Sequence, residues 1–278
     1  MSVRYAYIVV EGPHDVELVA RLLKPLGLKR VQKQPEVDPY WRRLIPTSFP
    51  PPPDLDLLRR VSVPFFFQNT EVSLAIHAAT GESRIAQTIE ESLTELRPSP
   101  ASIGVVLDAD QKATPRDRFA ELKAKLAASK DAPVALPDEP GEITPGPPRT
   151  GVFVLPDNHQ PGTLEDLLLE GAATSYPSLL VAAHALVAGV NPKDAAFNRD
   201  DMADFTKPAG RNKATVACIA GVLRPGKAVQ VSIQDNRWLE GASCELPRIK
   251  AVRVFLYELL GIPGASSLTL ASAPPART

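Results

Sequence analysis

Residues 4–27 read RYAYIVVEGPHDVELVARLLKPLG, and this stretch decides the fold class. Its first part is rich in aromatic and β-branched side chains, which predicts a strand that ends abruptly at Glu11. Apolar residues then recur at helical spacing from Val16 to Leu23, and Gly27 closes the helix. A strand, a tight loop and a helix in this order are typical of the opening of a parallel-sheet unit.

The same alternation of strands and helices continues outward to residue 170. Residues 102–107, SIGVVL, form a nearly all-apolar run, which is typical of a strand buried on both faces. The pattern predicts further strands near 29–34, in the first part of 65–81 and at 151–157, with helices at 82–96, at 115–128 and from Gly162-Thr163 onward. The sequence therefore predicts an α/β fold with a mostly parallel sheet and helices on both faces.

The pattern divides the chain into three regions. We predict an α/β core over residues 1–170, with an insertion at 35–64 that contains the run Pro50–Pro53. Residues 171–262 show helical patterns and are expected to pack on the core as a C-terminal helical region. The small and polar residues 263–278 predict a flexible tail.

Composition restricts the class of protein. The 278 residues carry a formal net charge of −1, so any attraction for nucleic acid has to come from a local patch or a bound metal. The two cysteines lie in apolar surroundings and lack the spacing of a zinc site. The start of the chain shows no secretory signal, and no window approaches about 18 uninterrupted apolar residues. We therefore expect a cytoplasmic protein with no membrane partner.

Acidic residues follow the predicted strands at equivalent positions. Glu11, the pair Asp108 and Asp110, and Asp157 each stand just after the C-terminal end of an apolar strand. Ligands of open parallel sheets bind at the carboxyl ends of the strands, so acids far apart in the chain can meet there. Converging carboxylates repel one another and their pKa values rise unless a cation neutralises them. Mg²⁺ or Mn²⁺ is the expected cation, because such ions take carboxylate and water oxygens and leave positions for substrate phosphate.

Each acid also has a purely structural interpretation. Asp108 and Asp110 could end a strand and cap the following turn, and Asp157 could serve a turn. Asp15 suits the first turn of a helix, where a negative charge is favourable. Asp166 completes a T-x-x-D capping pattern at a helix start. No single acid decides between the two interpretations. A functional site is favoured because the acids occur together, each at a strand end or a helix start.

Two motifs carry a resemblance to a known fold. They are VVEGPHD at residues 9–15, with Glu11, Gly12 and Asp15, and VVLDAD at residues 105–110, with Asp108 and Asp110. Their order and placement resemble the Toprim fold of topoisomerases, bacterial primases, OLD-type nucleases and small ribosomal-RNA maturases. The resemblance implies a Toprim-like, Rossmann-like core in which Glu11 is a metal ligand or a general acid/base. It also implies that Asp108 and Asp110 coordinate Mg²⁺ or Mn²⁺ and take part in catalysis.

A second resemblance, to stand-alone bacterial Toprim-like chains, covers the later half of the sequence. It rests on PGTLEDLLLE at residues 161–170 and NKATVACIAG at residues 212–221. This resemblance suggests Glu165 and Asp166 as ligands of a second metal and Lys213 as a catalytic charge that faces phosphate. We further predict substrate contacts by Gly12, Asp15, Asp157, His159 and Arg211.

Together these features predict a divalent-metal-dependent nuclease or phosphodiesterase that acts on DNA or RNA. The chain shows no P-loop motif for ATP, so any ATPase would be a separate partner chain. The resemblance to Toprim nucleases suggests a phage-defence setting for such a pair. The alternative is a non-catalytic Toprim-fold module that binds nucleic acid or protein. A nucleotide-processing enzyme on the same site is a third and weaker hypothesis. The sequence leaves an oligomer open.

Overall fold

The computed structural model describes residues 3–48, 62–110, 114–198 and 200–262. Its strands are β1 Arg4–Val10, β2 Lys29–Arg30, β3 Phe65–Gln68, β4 Val72–Ala78, β5 Ser102–Asp108 and β6 Arg149–Leu155. Its α-helices are α1 Pro13–Leu23, α2 Ile85–Glu95, α3 Pro115–Ala127, α4 Leu164–Ser175, α5 Pro177–Ala188, α6 Gly210–Leu223, α7 Val229–Asp235 and α8 Pro247–Leu259. The predicted α/β fold with C-terminal helices is confirmed.

The strands form one mixed, mostly parallel sheet in the order β2-β3-β4-β1-β5-β6. β1 lies inside the sheet and pairs in parallel with β4 on one side and β5 on the other, and β6 continues the parallel part beside β5. β3 runs antiparallel to β4, and β2 antiparallel to β3. The carboxyl ends of β1, β5 and β6 therefore share one edge, where ligands of such sheets bind.

Successive residues of β1 point into two separate apolar clusters, one on each face of the sheet. Ile8 and Val10 pack in the cluster that includes α1, α4 and α8. Tyr7 and Val9 pack in the cluster that includes α2 and α3. Because helices cover both faces, the central strands are continuous apolar runs without polar alternation.

Strands β3 and β4 form a hairpin where the sequence predicted one strand, in the first part of 65–81. The Asn69 side chain builds the turn, since its Oδ1 accepts hydrogen bonds from the backbone N–H groups of Glu71 and Val72, both at 2.8 Å. The second strand of this hairpin is the one that pairs with β1. The prediction therefore missed β4, a strand in the interior of the sheet.

Part of the predicted insertion at 35–64 belongs to the core. Residues 39–44 form a short 3₁₀ helix that carries Trp41, and the Trp41 side chain is fully buried. Its indole N–H donates a hydrogen bond to the Ser73 hydroxyl of β4 at 2.9 Å. These residues are therefore not a surface insertion. The run Pro50–Pro53 lies outside the described residues.

The C-terminal helices pack directly on the sheet. α8 lies against α1, β5 and β6, and the Ser102 hydroxyl of β5 donates to the backbone oxygen of Leu259 at 2.7 Å. α7 packs beside α1, and α6 packs between α4, α5 and α7. The predicted tail at 263–278 lies outside the described residues. Within the described ranges, no helix has the length and apolar character needed to cross a membrane.

Candidate functional site

Glu11 and Asp108, separated by 97 residues, meet at the carboxyl edge of the sheet. Glu11 follows β1, and its Oε1 accepts a hydrogen bond from the backbone N–H of Asp108, the last residue of β5, at 2.9 Å. β1 and β5 are parallel neighbours, so their C-terminal ends lie side by side. The structure therefore brings together the two acidic segments that the sequence placed at one edge.

The start of α4 joins this edge from a third segment. The Asp108 Oδ1 accepts a hydrogen bond from the backbone N–H of Leu164, the first residue of α4, at 2.8 Å. Two residues after Asp108, the backbone of Asp110 forms an antiparallel bridge with Gly162. Asp110 takes a left-handed conformation, with φ of 57°, at this bridge. These contacts bring Glu165, in the first turn of α4, close to the ends of β1 and β5.

Four carboxylates form what we call the carboxylate cluster: Glu11, Asp15, Asp108 and Glu165. Burial, and then the negative charge of Glu11, raise the pKa of Asp15 to about 7. Burial raises the pKa of Asp108 well above its usual value, and the charges of Asp15, Glu11 and Glu165 add to this shift. Burial also raises the pKa of Glu11, although the hydrogen bond from Asp108 opposes the rise. The cluster therefore brings together acidic groups that repel one another when ionised, in a site partly shielded from water.

Glu165 supplies an independent sign that the cluster is made for a cation. Its side chain is only 7% exposed, and its buried Oε2 has no hydrogen-bond partner among the residues that the structure describes. A buried carboxylate oxygen without a donor is costly. A bound cation would relieve both this cost and the repulsion within the cluster, so these residues fit a divalent metal ion.

The side chains are not arranged as a finished metal site. In the four described ranges, no group of three or more His, Cys, Asp and Glu residues stands in an arrangement that could hold a metal ion. Glu11 and Asp108 each use one oxygen to accept a backbone N–H, and Asp15 Oδ2 accepts from the Gly12 N–H at 2.9 Å. Each carboxylate keeps its other oxygen for an ion, but binding would require these side chains to move closer together than they stand here.

An arginine that the sequence analysis did not single out lies beside the cluster. Arg118, in the first turns of α3, donates from Nη2 to Asp110 Oδ2 at 2.7 Å and binds Glu82 through Nη1. The Arg118 side chain is mostly buried, and its positive charge opposes the rise in the pKa of Glu11. The predicted metal ligand Asp110 is thus held by an ion pair. Glu82 and Arg118 are 36 residues apart, so no local charge pattern marked them.

His14, from the same segment as Glu11 and Asp15, and Lys213, from α6, flank the cluster. Burial is the main cause that lowers the pKa of His14, the charge of Lys213 lowers it further, and Glu165 raises it. Lys213 is exposed near the start of α6. The predicted catalytic lysine is therefore close enough to interact with a residue of the EGPHD loop. The nearness of His14 to Glu165 comes from the fold.

Asp166 has the structural role that the sequence offered as its alternative. Its Oδ2 accepts from the backbone N–H of Thr163 at 2.7 Å, which caps the start of α4. Its Oδ1 accepts from the side-chain amide of Asn212 at 2.9 Å. Asp166 therefore fastens the start of α6, next to Lys213, to the start of α4. Both of its oxygens accept hydrogen bonds from the protein, in contrast to Glu165.

Three predicted substrate contacts have other partners. Asp157 pairs through Oδ2 with Arg248 Nε at 3.0 Å, and its Oδ1 accepts from the His159 backbone N–H at 2.9 Å. His159 is exposed and lines a separate cavity of about 360 Å³ together with Arg116. Arg211 donates to the backbone oxygen of Val187 at 3.0 Å. None of these contacts places Asp157, His159 or Arg211 with the carboxylate cluster.

Comparison with known proteins gives a family. A solved structure that aligns with the chain is a hypothetical protein from Pyrococcus horikoshii OT3, with 15% identity, a TM-score of 0.46, and coverage of 96% of this chain and 100% of the other. No curated protein matches the sequence. A family model described as "Protein of unknown function (DUF3226)" matches residues 5–252, which span every residue of the carboxylate cluster. The chain is therefore a member of the DUF3226 family.

Proposed function

We propose that this protein is a divalent-metal-dependent phosphodiester hydrolase, a nuclease whose metal site is the carboxylate cluster. One observation carries the proposal: four carboxylates from three segments converge at the edge of the sheet, Asp15 and Glu165 buried, Glu11 and Asp108 half-buried. The pKa values of Glu11, Asp15 and Asp108 are raised, and Glu165 adds an oxygen without a hydrogen-bond partner among the described residues. A bound cation would relieve the mutual repulsion of carboxylates kept this close. The resemblance of the EGPHD and DAD motifs to Toprim nucleases supports the same function.

The cluster residues have distinct proposed parts. Glu11, Asp108 and Glu165 would hold Mg²⁺ or Mn²⁺, and Asp15 would add negative charge behind them. When bound, such an ion polarises a phosphoryl oxygen and lowers the pKa of a water molecule. Burial raises the pKa of Glu11, which also suits it to act as a general acid or base.

The residues around the cluster would act on the substrate. Lys213 offers an exposed positive charge beside His14, which suits the binding of a phosphate group. Asp110 would join the ligands only after its ion pair with Arg118 opens. Arg118 would then be left with a free donor beside the site. This exchange of partners would couple the arrival of a cation to the movement of a positive charge.

We propose nucleic acid as the substrate, and both DNA and RNA satisfy the chemistry. The near-neutral net charge means that metal and local cations would supply the attraction for phosphate. A separate ATPase partner and a phage-defence setting are proposals that rest on the Toprim resemblance alone. A cytoplasmic location is a proposal that rests on the sequence features described above.

Cleavage by matched variants tests the enzyme proposal. Plasmid, linear DNA and tRNA are incubated with the protein in Mg²⁺, in Mn²⁺ and in EDTA. We expect metal-dependent cleavage that falls on the order of 100-fold or more in Glu11→Gln and in Asp108→Asn. Glu121→Gln and Asp138→Asn are the controls, because these acids are exposed surface residues paired with lysines. The controls should cleave at the wild-type rate.

Metal binding is measured separately from cleavage. Mn²⁺ titrated by calorimetry should bind the wild type, and binding should weaken at least about tenfold in Glu165→Gln, whose unpaired oxygen is lost. Metal at 100 times its Kd should also stabilise the fold by about 2.7 kcal/mol. If metal binds but no nucleic acid is cleaved, the non-catalytic binding module is the better description. If neither Mg²⁺ nor Mn²⁺ binds, the metal site itself is refuted.

A further inference from the structure

A second polar cleft lies along α1, lined by residues from Glu17 to Lys24 and by none of the four residues of the carboxylate cluster. Its volume is about 500 Å³, within the range of about 300–1,000 Å³ typical of small-molecule sites. Leu28 and Phe67 form part of an apolar wall. The charged residues of the cleft are Glu17, Arg21, Lys24, Arg30, Arg224 and Asp235. Four cations thus face two carboxylates.

Arg21 is fully committed to the protein. It donates to the backbone oxygens of Gln234 and Asn236 and to Glu240 Oε2, at 2.9, 3.1 and 2.8 Å. These bonds fix α1 against the end of α7. Arg21 therefore shapes the cleft and neutralises Glu240, and the donors for a ligand have to come from the other cations.

Three cations of the cleft keep unused donors. Lys24 Nζ is 4.0 Å from Glu240 Oε1, beyond hydrogen-bond distance, and its side chain is 62% exposed. Arg30 donates from Nη2 to both carboxylate oxygens of Glu17, at 2.6 Å each. Its Nε and Nη1 have no partner among the described residues. Arg224 pairs through Nη2 with Asp235 at 3.2 Å, which leaves its Nη1 without a partner in the described part of the chain.

The unused donors come from three separate segments of the chain. Lys24 follows α1, Arg30 lies in β2, and Arg224 caps the end of α6. Arg30 is further held in place by the rings of Phe65 and Phe67, which lie 5.2 and 5.0 Å from its guanidinium carbon. Guanidinium and ammonium groups that converge in this way suit the oxygens of a phosphate group.

We propose that this cleft binds a small phosphate-bearing ligand of the nucleotide or pyrophosphate class, at a site separate from the carboxylate cluster. Lys24 caps the C-terminal end of α1, nine positions after Asp15, and nine helical residues span about 14 Å. α6 repeats this arrangement, with Lys213 near its start and Arg224 at its end. The cleft and the cluster share no lining residue, although Glu17 of the cleft is only two positions from Asp15. The proposal does not depend on the proposed nuclease function.

Metal-free calorimetry tests the site without interference from the cluster. In EDTA the carboxylate cluster repels anions, so heat released on titration of pyrophosphate or ATP reports binding elsewhere. We expect the wild type to bind pyrophosphate, and the double variant Lys24→Gln/Arg224→Gln to bind it at least about tenfold more weakly. Both residues are only partly buried or exposed, and circular dichroism verifies that the variant is folded.

Lys29→Gln is the matched control. Lys29 is the exposed neighbour of Arg30 in β2 and does not line the cleft. Its variant should bind pyrophosphate like the wild type. A short single-stranded oligonucleotide in the same titration distinguishes a small phosphate ligand from the phosphates of a nucleic acid. If the oligonucleotide does not compete with pyrophosphate, the cleft is a small-molecule site. The proposal is overturned if pyrophosphate and ATP release no binding heat, if Lys29→Gln weakens binding as much as the double variant, or if the oligonucleotide displaces pyrophosphate.

Discussion

Asp15 lies in the first turn of α1 with its carboxyl group buried beside Glu11 and Glu165. Its pKa rises from the ordinary value of 3.8 to about 7, chiefly through burial and then through the charge of Glu11. Between these two pH values the folded protein holds a proton that the unfolded chain has released. Stability therefore falls as pH rises through this window and stays reduced above it.

The metal-free protein should therefore lose stability as pH rises through this window, and the substitution Asp15→Asn should remove this loss. The amide keeps an oxygen that can accept the Gly12 N–H but carries no charge. We expect the Tm of Asp15→Asn to equal that of the wild type near pH 4 and to exceed it increasingly up to about pH 7, measured in EDTA by circular dichroism. Asp204→Asn, at an exposed surface acid, is the control. A Tm difference that does not change with pH would contradict the predicted shift.

At the scale of elements, the contact between α4 and the short helix Arg237–Leu239 depends on Gly171. A methyl group at position 171 would collide with the backbone carbonyl of Trp238, which cannot move as a side-chain end does. The same edge is fastened by Ser175, whose hydroxyl donates to the backbone oxygen of Arg237 at 2.7 Å. α4, which carries Glu165, is therefore held from behind by a close backbone contact.

Two glycine-to-alanine changes should have opposite effects on stability. Gly171→Ala should lower the free energy of unfolding by about 1–3 kcal/mol through overpacking. Gly221→Ala, in α6 with open space around it, should raise it by up to about 1 kcal/mol because alanine favours a helix. Urea denaturation measures both. Equal effects of the two changes would mean that the contact with Trp238 is not as close as described.

At the scale of the whole molecule, the sheet unites both halves of the chain. The cluster on one face includes Trp238 and the C-terminal helices, and the cluster on the other face includes Trp41. Both tryptophans are fully buried, and β1 contributes side chains to both clusters. A boundary at residue 170 would cut through α4. We therefore expect the two faces to unfold together.

Single-tryptophan variants test this cooperativity. Trp41→Phe leaves Trp238 as the fluorescent reporter of one face, and Trp238→Phe leaves Trp41 as the reporter of the other. In each variant the urea midpoint from fluorescence should agree with the midpoint from circular dichroism, as in two-state unfolding. A fluorescence transition that precedes the loss of helix in either variant would show that one face opens independently.

Local signals in the sequence predicted most of the fold. Apolar runs and helical spacing located β1, β5 and β6 with their helices, because these patterns depend on neighbours within a few positions. β4 was missed because β3 and β4 are both apolar, and only a short turn at Asn69 separates them. Trp41 was assigned to an insertion because its partners, such as Ser73, are distant in sequence.

The sequence by itself determined that Glu11 and Asp108 stand at strand ends, and parallel pairing then required them to share one edge. Only the tertiary structure decided which other acids join them. Glu165 has an oxygen without a hydrogen-bond partner in the described ranges, whereas Asp110 and Asp157 are held by Arg118 and Arg248. The physical reason is that charge interactions depend on distances of a few ångströms between groups that are far apart along the chain, and such distances leave no periodic mark in a sequence.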